Sequence, residues 1–173
     1  VVTTAIFPIY FNALTSDRNE KGEIINDVVT FFGAELINTQ LYSYVLAFSF
    51  LVVIILSPLL SGMADVSGRK LQLMKAFCYL GALGCIGLYA FDPTHLEWSM
   101  SALFLANIGF WGSLGFYNAF LPEIAPREEH DKLSATGYAM GYIGSVLLLI
   151  VCLGLIMLVG DFMAPWAFVF VGI

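Results

Sequence analysis

Four stretches without a charged residue, Leu36 to Ala64, Ala76 to Phe91, Trp98 to Pro122 and Leu133 to Gly160, lie between short polar clusters. A helix needs about 20 apolar residues to cross the hydrocarbon core of a bilayer. Three of the stretches exceed that length, and the fourth reaches it when counted from Leu71, with Lys75 one turn inside. The pattern is that of a polytopic membrane protein.

Composition narrows the fold class. The chain is 60% hydrophobic and only 12% charged, with a mean hydropathy of +0.87, outside the range of water-soluble domains. Strands of a membrane barrel alternate apolar and polar residues, whereas Tyr44 to Leu60 is almost continuously apolar. Helices satisfy their own backbone in hydrocarbon, so the expected fold is an all-α transmembrane bundle. The net charge is −6 and the chain has seven Lys and Arg in all, with no basic cluster; a nucleic-acid surface needs one, so no nucleic-acid partner is expected. Cys78, Cys85 and Cys152 sit inside apolar spans at spacings that fit no zinc or redox motif. They read as small packing residues, and no metal or cofactor is expected.

Val1 to Leu14 is apolar but too short to span, and it lacks both an initiator Met and the basic flank of a signal peptide. It is expected to be the end of a first helix, and Pro165 to Ile173 the start of a sixth. The expected organisation is a single transmembrane domain over residues 1–173. Helix 1 ends at 1–14, an extracytoplasmic loop covers 15–35, and helices 2 to 5 span 36–64, 71–91, 98–121 and 133–160. Helix 6 starts at 165–173, and the natural protein is expected to be longer. Arg69, Lys70, Lys75, Arg127 and Lys132 fall at the second and fourth connections, against Arg18 and Lys21 at the first. The positive-inside rule therefore places the second and fourth connections in the cytoplasm. Trp98 and Trp166, each at the start of a span, fit the aromatic belt at headgroup level.

The second connection carries the strongest local signal: Gly62, Met63, Ala64, Asp65, Val66, Ser67, Gly68, Arg69, Lys70. Gly62 permits close helix approach, Gly68 permits a sharp or left-handed backbone, and Asp65 can cap a helix or pair with a nearby Arg. A capped turn with Arg69 and Lys70 at the headgroups would use the same residues. The spacing resembles the motif between helices 2 and 3 of the major facilitator superfamily, which in that family stabilises one state of the alternating-access cycle. Three further segments, Phe116 to Ala125, Ser134 to Ser145 and Phe7 to Phe11, resemble the vacuole-effluxer branch. Its fungal members export amino acids from the vacuole. The resemblance covers essentially the whole chain, as the amino-terminal six-helix half of a twelve-helix transporter. Helix 4 lacks the Arg of many proton-coupled members and helix 5 lacks the Pro typical of antiporters, so the resemblance does not extend to proton coupling or drug exchange.

Gly137, Gly141 and Gly144 form one stripe along helix 5, and Gly81, Gly84 and Gly87 repeat the device on helix 3. Small stripes let membrane helices approach closely, either for static packing or for sliding between states. Asn107, Trp111 and Asn118 share one face of helix 4; Asn38, Tyr42 and Ser49 share one of helix 2; Tyr138 and Tyr142 lie a turn apart on helix 5. Unpaired amides are costly in hydrocarbon, so these faces point at other helices or at a wet cavity. Tyr42, Asn107, Trp111, Asn118, Tyr138 and Tyr142 are candidates for a solute path, with interhelical hydrogen bonding as the alternative for each.

No ionisable residue lies near the middle of a complete span, and no nucleophile, base and orienting group converge. The chain is therefore not expected to be an enzyme. The reading is a secondary transporter for a small organic solute, possibly an amino acid by the resemblance, with Gly62, Asp65, Gly68, Arg69 and Lys70 as its gate. The alternative is a non-transporting membrane subunit that binds partner helices through its glycine faces. Expected partners are the lipid bilayer, a small solute and a second six-helix half, in the same chain or a second copy. The expected location is a bacterial inner membrane, with a vacuolar membrane as the alternative.

Overall fold

The computed structural model describes residues 2–18, 24–159 and 164–172. Helix α1 (Val2–Thr15) leads into two antiparallel hairpins, β1 (Asp17–Arg18) with β2 (Ile24–Asn26) and β3 (Val28–Phe31) with β4 (Ala34–Ile37). Then follow α2 (Asn38–Ser67), α3 (Lys70–Gly87) with a 3-10 turn at Leu88–Ala90, α4 (Leu96–Ala119), the single turn α5 (Leu121–Ile124), α6 (His130–Val159) and α7 (Ala164–Gly172). Among the described residues, four segments are long and apolar enough to cross a membrane: Asn38–Gly62, Lys70–Ala90, Leu96–Ile124 and Arg127–Leu158. They correspond to helices 2 to 5 of the sequence reading, and the all-α class holds for the bundle.

The connection over 15–35, expected as a loop, contains these two hairpins. Val28, Val29, Thr30 and Phe31 are β-branched or aromatic, and Phe32–Gly33 closes the turn with both residues at positive φ, 49° and 82°. The solvated composition of residues 17–23 masked that strand signal.

The tightest contact is the crossing of α3 over α4. A Cβ added at Gly84 would lie 2.5 Å from the backbone N of Ala106, one at Gly87 would lie 3.2 Å from Ala102 Cβ, and one at Gly109 would collide with the backbone of Gly81. The Gly81, Gly84, Gly87 stripe is therefore a packing face, and its counterpart is Ala102, Ala106 and Gly109. In lipid no hydrophobic force joins two helices, so such close backbone approach and its dispersion energy hold them.

At the end of the bundle where α3 connects to α4, aromatic rings hold α1. Phe7 stacks on Phe11 at 5.7 Å and meets Phe168 of α7 edge-on at 5.8 Å, while Tyr10 lies 5.6 Å from Phe91. Beside them sits a fully buried amide. Asn38 Nδ2 donates to Thr15 Oγ1 at 3.0 Å and Ser16 Oγ at 2.9 Å, and Asn38 Oδ1 accepts from Thr39 Oγ1 at 3.0 Å. These bonds tie the start of α2 to the end of α1. Replacing Asn38 by leucine keeps the branched shape and removes both interhelical bonds; the expected loss is about 1–2 kcal/mol, read as a lower melting temperature in detergent.

The α3–α4 connection closes on itself through Asp92, whose Oδ1 accepts from the Thr94 N–H at 2.8 Å and the Thr94 hydroxyl at 2.7 Å. The backbone bond first, then the hydroxyl, holds this carboxyl below its usual range.

Candidate gate and solute path

Helix α2 ends where Gly68 turns left-handed, at φ 64° and ψ 15°, a conformation that a side chain disfavours. Arg69 then caps α3, its carbonyl accepting from the Gln72 and Leu73 N–H groups at 3.0 and 3.1 Å. Lys70 opens α3, and its Nζ lies 2.7 Å from Glu123 Oε1 in α5. The loop between α2 and α3 and the segment after α4 thus meet at one end of the bundle. Both side chains are partly exposed, so the pair contributes little to stability, about 0–1 kcal/mol. A contact of that strength can open and close at low cost, which suits a conformational switch.

Glu123, the partner of Lys70, is not among the gate candidates read from the sequence. It lies 53 positions from Lys70, and the one signal available was that both sit at span ends on the same side. Gly62 does not serve as a close-approach glycine among the described residues, since a Cβ there would meet nothing within 4 Å. The backbone of Asp65 lies in the last turn of α2, while its side chain lies outside the described residues.

The six candidate path residues do not gather into one pocket. At the Lys70–Glu123 end, Tyr138 OH of α6 donates to Asn118 Oδ1 of α4 at 3.0 Å, and the Tyr117 hydroxyl lies against Gly137, where a Cβ would block it. Tyr142, a turn further along α6, is exposed, and Gly141 and Gly144 face open space. Of the α6 stripe, only Gly137 therefore packs among the described residues. Midway along α4, Asn107 Nδ2 bonds the Leu103 carbonyl of its own helix at 2.9 Å. Trp111 packs on Phe50 of α2, with ring centroids 5.3 Å apart.

Tyr42 lies at the opposite end, tilted against Phe7 at 5.8 Å. It lines a cleft of about 390 Å³ between α1 and α2 together with Pro8, Phe11, Asn12, Asn38 and Thr39. Asn12 and Thr39 were not singled out in the sequence. Asn12 had a signal, as a lone amide in an otherwise apolar run. Ser49, on the same α2 face, is buried and bonds the Val45 carbonyl at 2.7 Å, so it is a packing residue, as is Asn38. Among the described residues no three His, Cys, Asp or Glu side chains approach closely enough to hold a metal ion.

Membrane-length helices and a glycine-built α3–α4 crossing define an integral, multi-pass membrane protein. The family model described as vacuole effluxer Atg22 like matches residues 4–173, and the chain belongs to that branch of the major facilitator superfamily. It is 31% identical over 160 residues to a protein of Bacillus subtilis (strain 168) named as an uncharacterized MFS-type transporter, YxiO; the match covers 91% of this chain and 34% of that protein. The chain thus spans about a third of the length of this relative. No solved structure matches the chain.

Proposed function

We propose that the chain forms part of a secondary active transporter that moves a small organic solute by alternating access, with the α2–α3 loop as its cytoplasmic gate. The observation that carries this reading is the Lys70–Glu123 pair, which bridges two connections across the left-handed turn at Gly68. The family supplies the transport class. Amino acids are the proposed solutes, by the resemblance to effluxers of the vacuole and because the α1–α2 cleft is lined by the Asn12 amide, the Thr39 hydroxyl and the rings of Phe11 and Tyr42. In the proposed cycle, the Lys70–Glu123 contact holds the cytoplasmic side closed while the α1–α2 end is open, and it separates when that side opens.

A second reading has its own observation. Gly141 and Gly144 present a smooth face of α6 that meets nothing among the described residues. A partner helix could seat there, either from a second six-helix half or from another subunit. We place the protein in a bacterial inner membrane.

The test uses Asp65→Asn in the full-length protein. Uptake of labelled amino acids into proteoliposomes is expected to fall to background while membrane insertion and yield stay unchanged. Uptake with normal kinetics in that variant would remove Asp65 from the gate.

A further inference from the structure

The β3–β4 hairpin has two faces fixed by its register, Val28 opposite Ile37, Val29 opposite Leu36, Thr30 opposite Glu35 and Phe31 opposite Ala34. Val29 is buried in the core with Leu41 and Met100, and Phe31 and Leu36 pack beside it against α2 and α4. The other face carries Val28, Thr30, Glu35 and Ile37, all exposed. The hairpin is held in place, because the Asn38 N–H donates to the Asp27 carbonyl at 2.9 Å and the Val28 N–H to Asn26 Oδ1 at 3.1 Å.

Its tip is unusual. Both central residues of the turn have positive φ, a geometry that favours Asn, Asp or Gly at the first position. Phe32 occupies that position at φ 49°. A bulky residue is disfavoured there, and Phe32 gains little burial from the protein in return, being 78% exposed. Its ring touches only Phe31 among the aromatic contacts of the described residues, at 4.7 Å. Strain and exposure together call for an apolar neighbour outside this chain.

The position of the hairpin indicates what that neighbour is. Strand β4 runs into α2 without a break, at the residue where the membrane-length segment Asn38–Gly62 begins. Strand β3 packs at the level of Met100, one turn from the start of α4, where Trp98 is 61% exposed. Aromatic side chains at that level favour the boundary between headgroups and acyl chains. We propose that the β3–β4 hairpin is a membrane-surface anchor: Phe32 seats in the headgroup layer of the bilayer leaflet where α2 and α4 enter. Val28 and Ile37 rest on the same layer, with Thr30 and Glu35 among the polar headgroups. The anchor fixes the depth at which α2 begins, and hence the height of the α1–α2 cleft relative to the bilayer surface.

Site-directed fluorescence tests this on the full-length protein in phosphatidylcholine nanodiscs. Cys78, Cys85, Cys152 and any cysteine elsewhere in the full-length protein are replaced by alanine, and an environment-sensitive dye is attached to Phe32→Cys or, separately, to Val28→Cys. Both labels are expected to emit to the blue of the free dye in water. Lipids with a spin label near the headgroup should quench them about twice as strongly as lipids labelled at mid-chain, reflecting interfacial depth, and aqueous iodide should have little effect. Strong iodide quenching would mean that the tip lies in water and would overturn the proposal. Blue emission insensitive to iodide and to both lipids would overturn it differently, by placing the tip against protein. Unlabelled Phe32→Asn is expected to keep the wild-type melting temperature or raise it, since Asn suits the turn; a marked drop would show that Phe32 serves the fold and would count against the anchor.

Discussion

Gly109→Leu is expected to leave little folded protein. A Cβ at this position would overlap the backbone N and Cα of Gly81 and the carbonyl of Phe77. Backbone atoms cannot rotate away as the end of a side chain can, so the α3–α4 crossing has to open along its length. Overpacking a core costs about 1–3 kcal/mol where side chains can yield; here the expected cost is about 3 kcal/mol or more, because neither helix can yield without losing its neighbours. Size-exclusion yield and melting temperature in detergent read the effect. Gly141→Leu is the matched control: a Cβ there meets nothing within 4 Å, and the same addition on α6 should shift the stability of this bundle by about 0.5 kcal/mol or less. Equal losses in the two variants would show that membrane insertion, rather than the crossing, sets the cost, since leucine has the higher helix propensity.

Reversing one charge of the gate pair is expected to reduce transport at least tenfold, and reversing both to recover much of it. Lys70→Glu puts two carboxylates where a 2.7 Å ion pair stood, and Glu123→Lys puts two ammonium groups there. The closed contact then becomes repulsive, and one state of the cycle loses its hold. About 1.4 kcal/mol of bias changes a two-state ratio tenfold, within reach of a partly exposed pair turned from attraction to repulsion. The double reversal restores attraction with opposite polarity. Initial uptake rates of the two single variants and the double variant, normalised to reconstituted protein, give the cycle. Additive losses in the double variant would show that the two residues act independently.

The parts of this architecture visible in the sequence are those fixed by local chemistry. The spans were legible because charges are absent from them, and the Gly81, Gly84, Gly87 stripe because its period is helical. Its counterpart on α4 was not legible: Ala102, Ala106 and Gly109 are ordinary small residues until α3 is laid across them. The turn at Gly68 was readable from the residue type, and its φ of 64° agrees. The Lys70–Glu123 pair was not, because residues 53 apart meet only through the packing of two spans. The amide of Asn38 was visible as a polar group in an apolar run, yet its partners Thr15 and Ser16 lay in a segment read as loop, so its role as a tie between α1 and α2 emerged only from the fold. The path residues fared least well. Shared helical faces placed Asn107, Trp111 and Asn118 together, but each face meets a different neighbour along its length, and Tyr42 falls in a separate cleft with Asn12 and Thr39.

The most direct test of the central claim is counterflow in proteoliposomes containing the full-length protein. Vesicles preloaded with one unlabelled amino acid at high concentration are diluted into a trace of the same amino acid in labelled form, across a panel of solutes. An alternating-access carrier predicts a transient accumulation of label, faster than entry into empty vesicles and saturable, for at least one member of the panel. Label entering no faster than into protein-free vesicles for every solute, with the protein folded and correctly inserted, would contradict transport and favour a partner-binding role for the open α6 face.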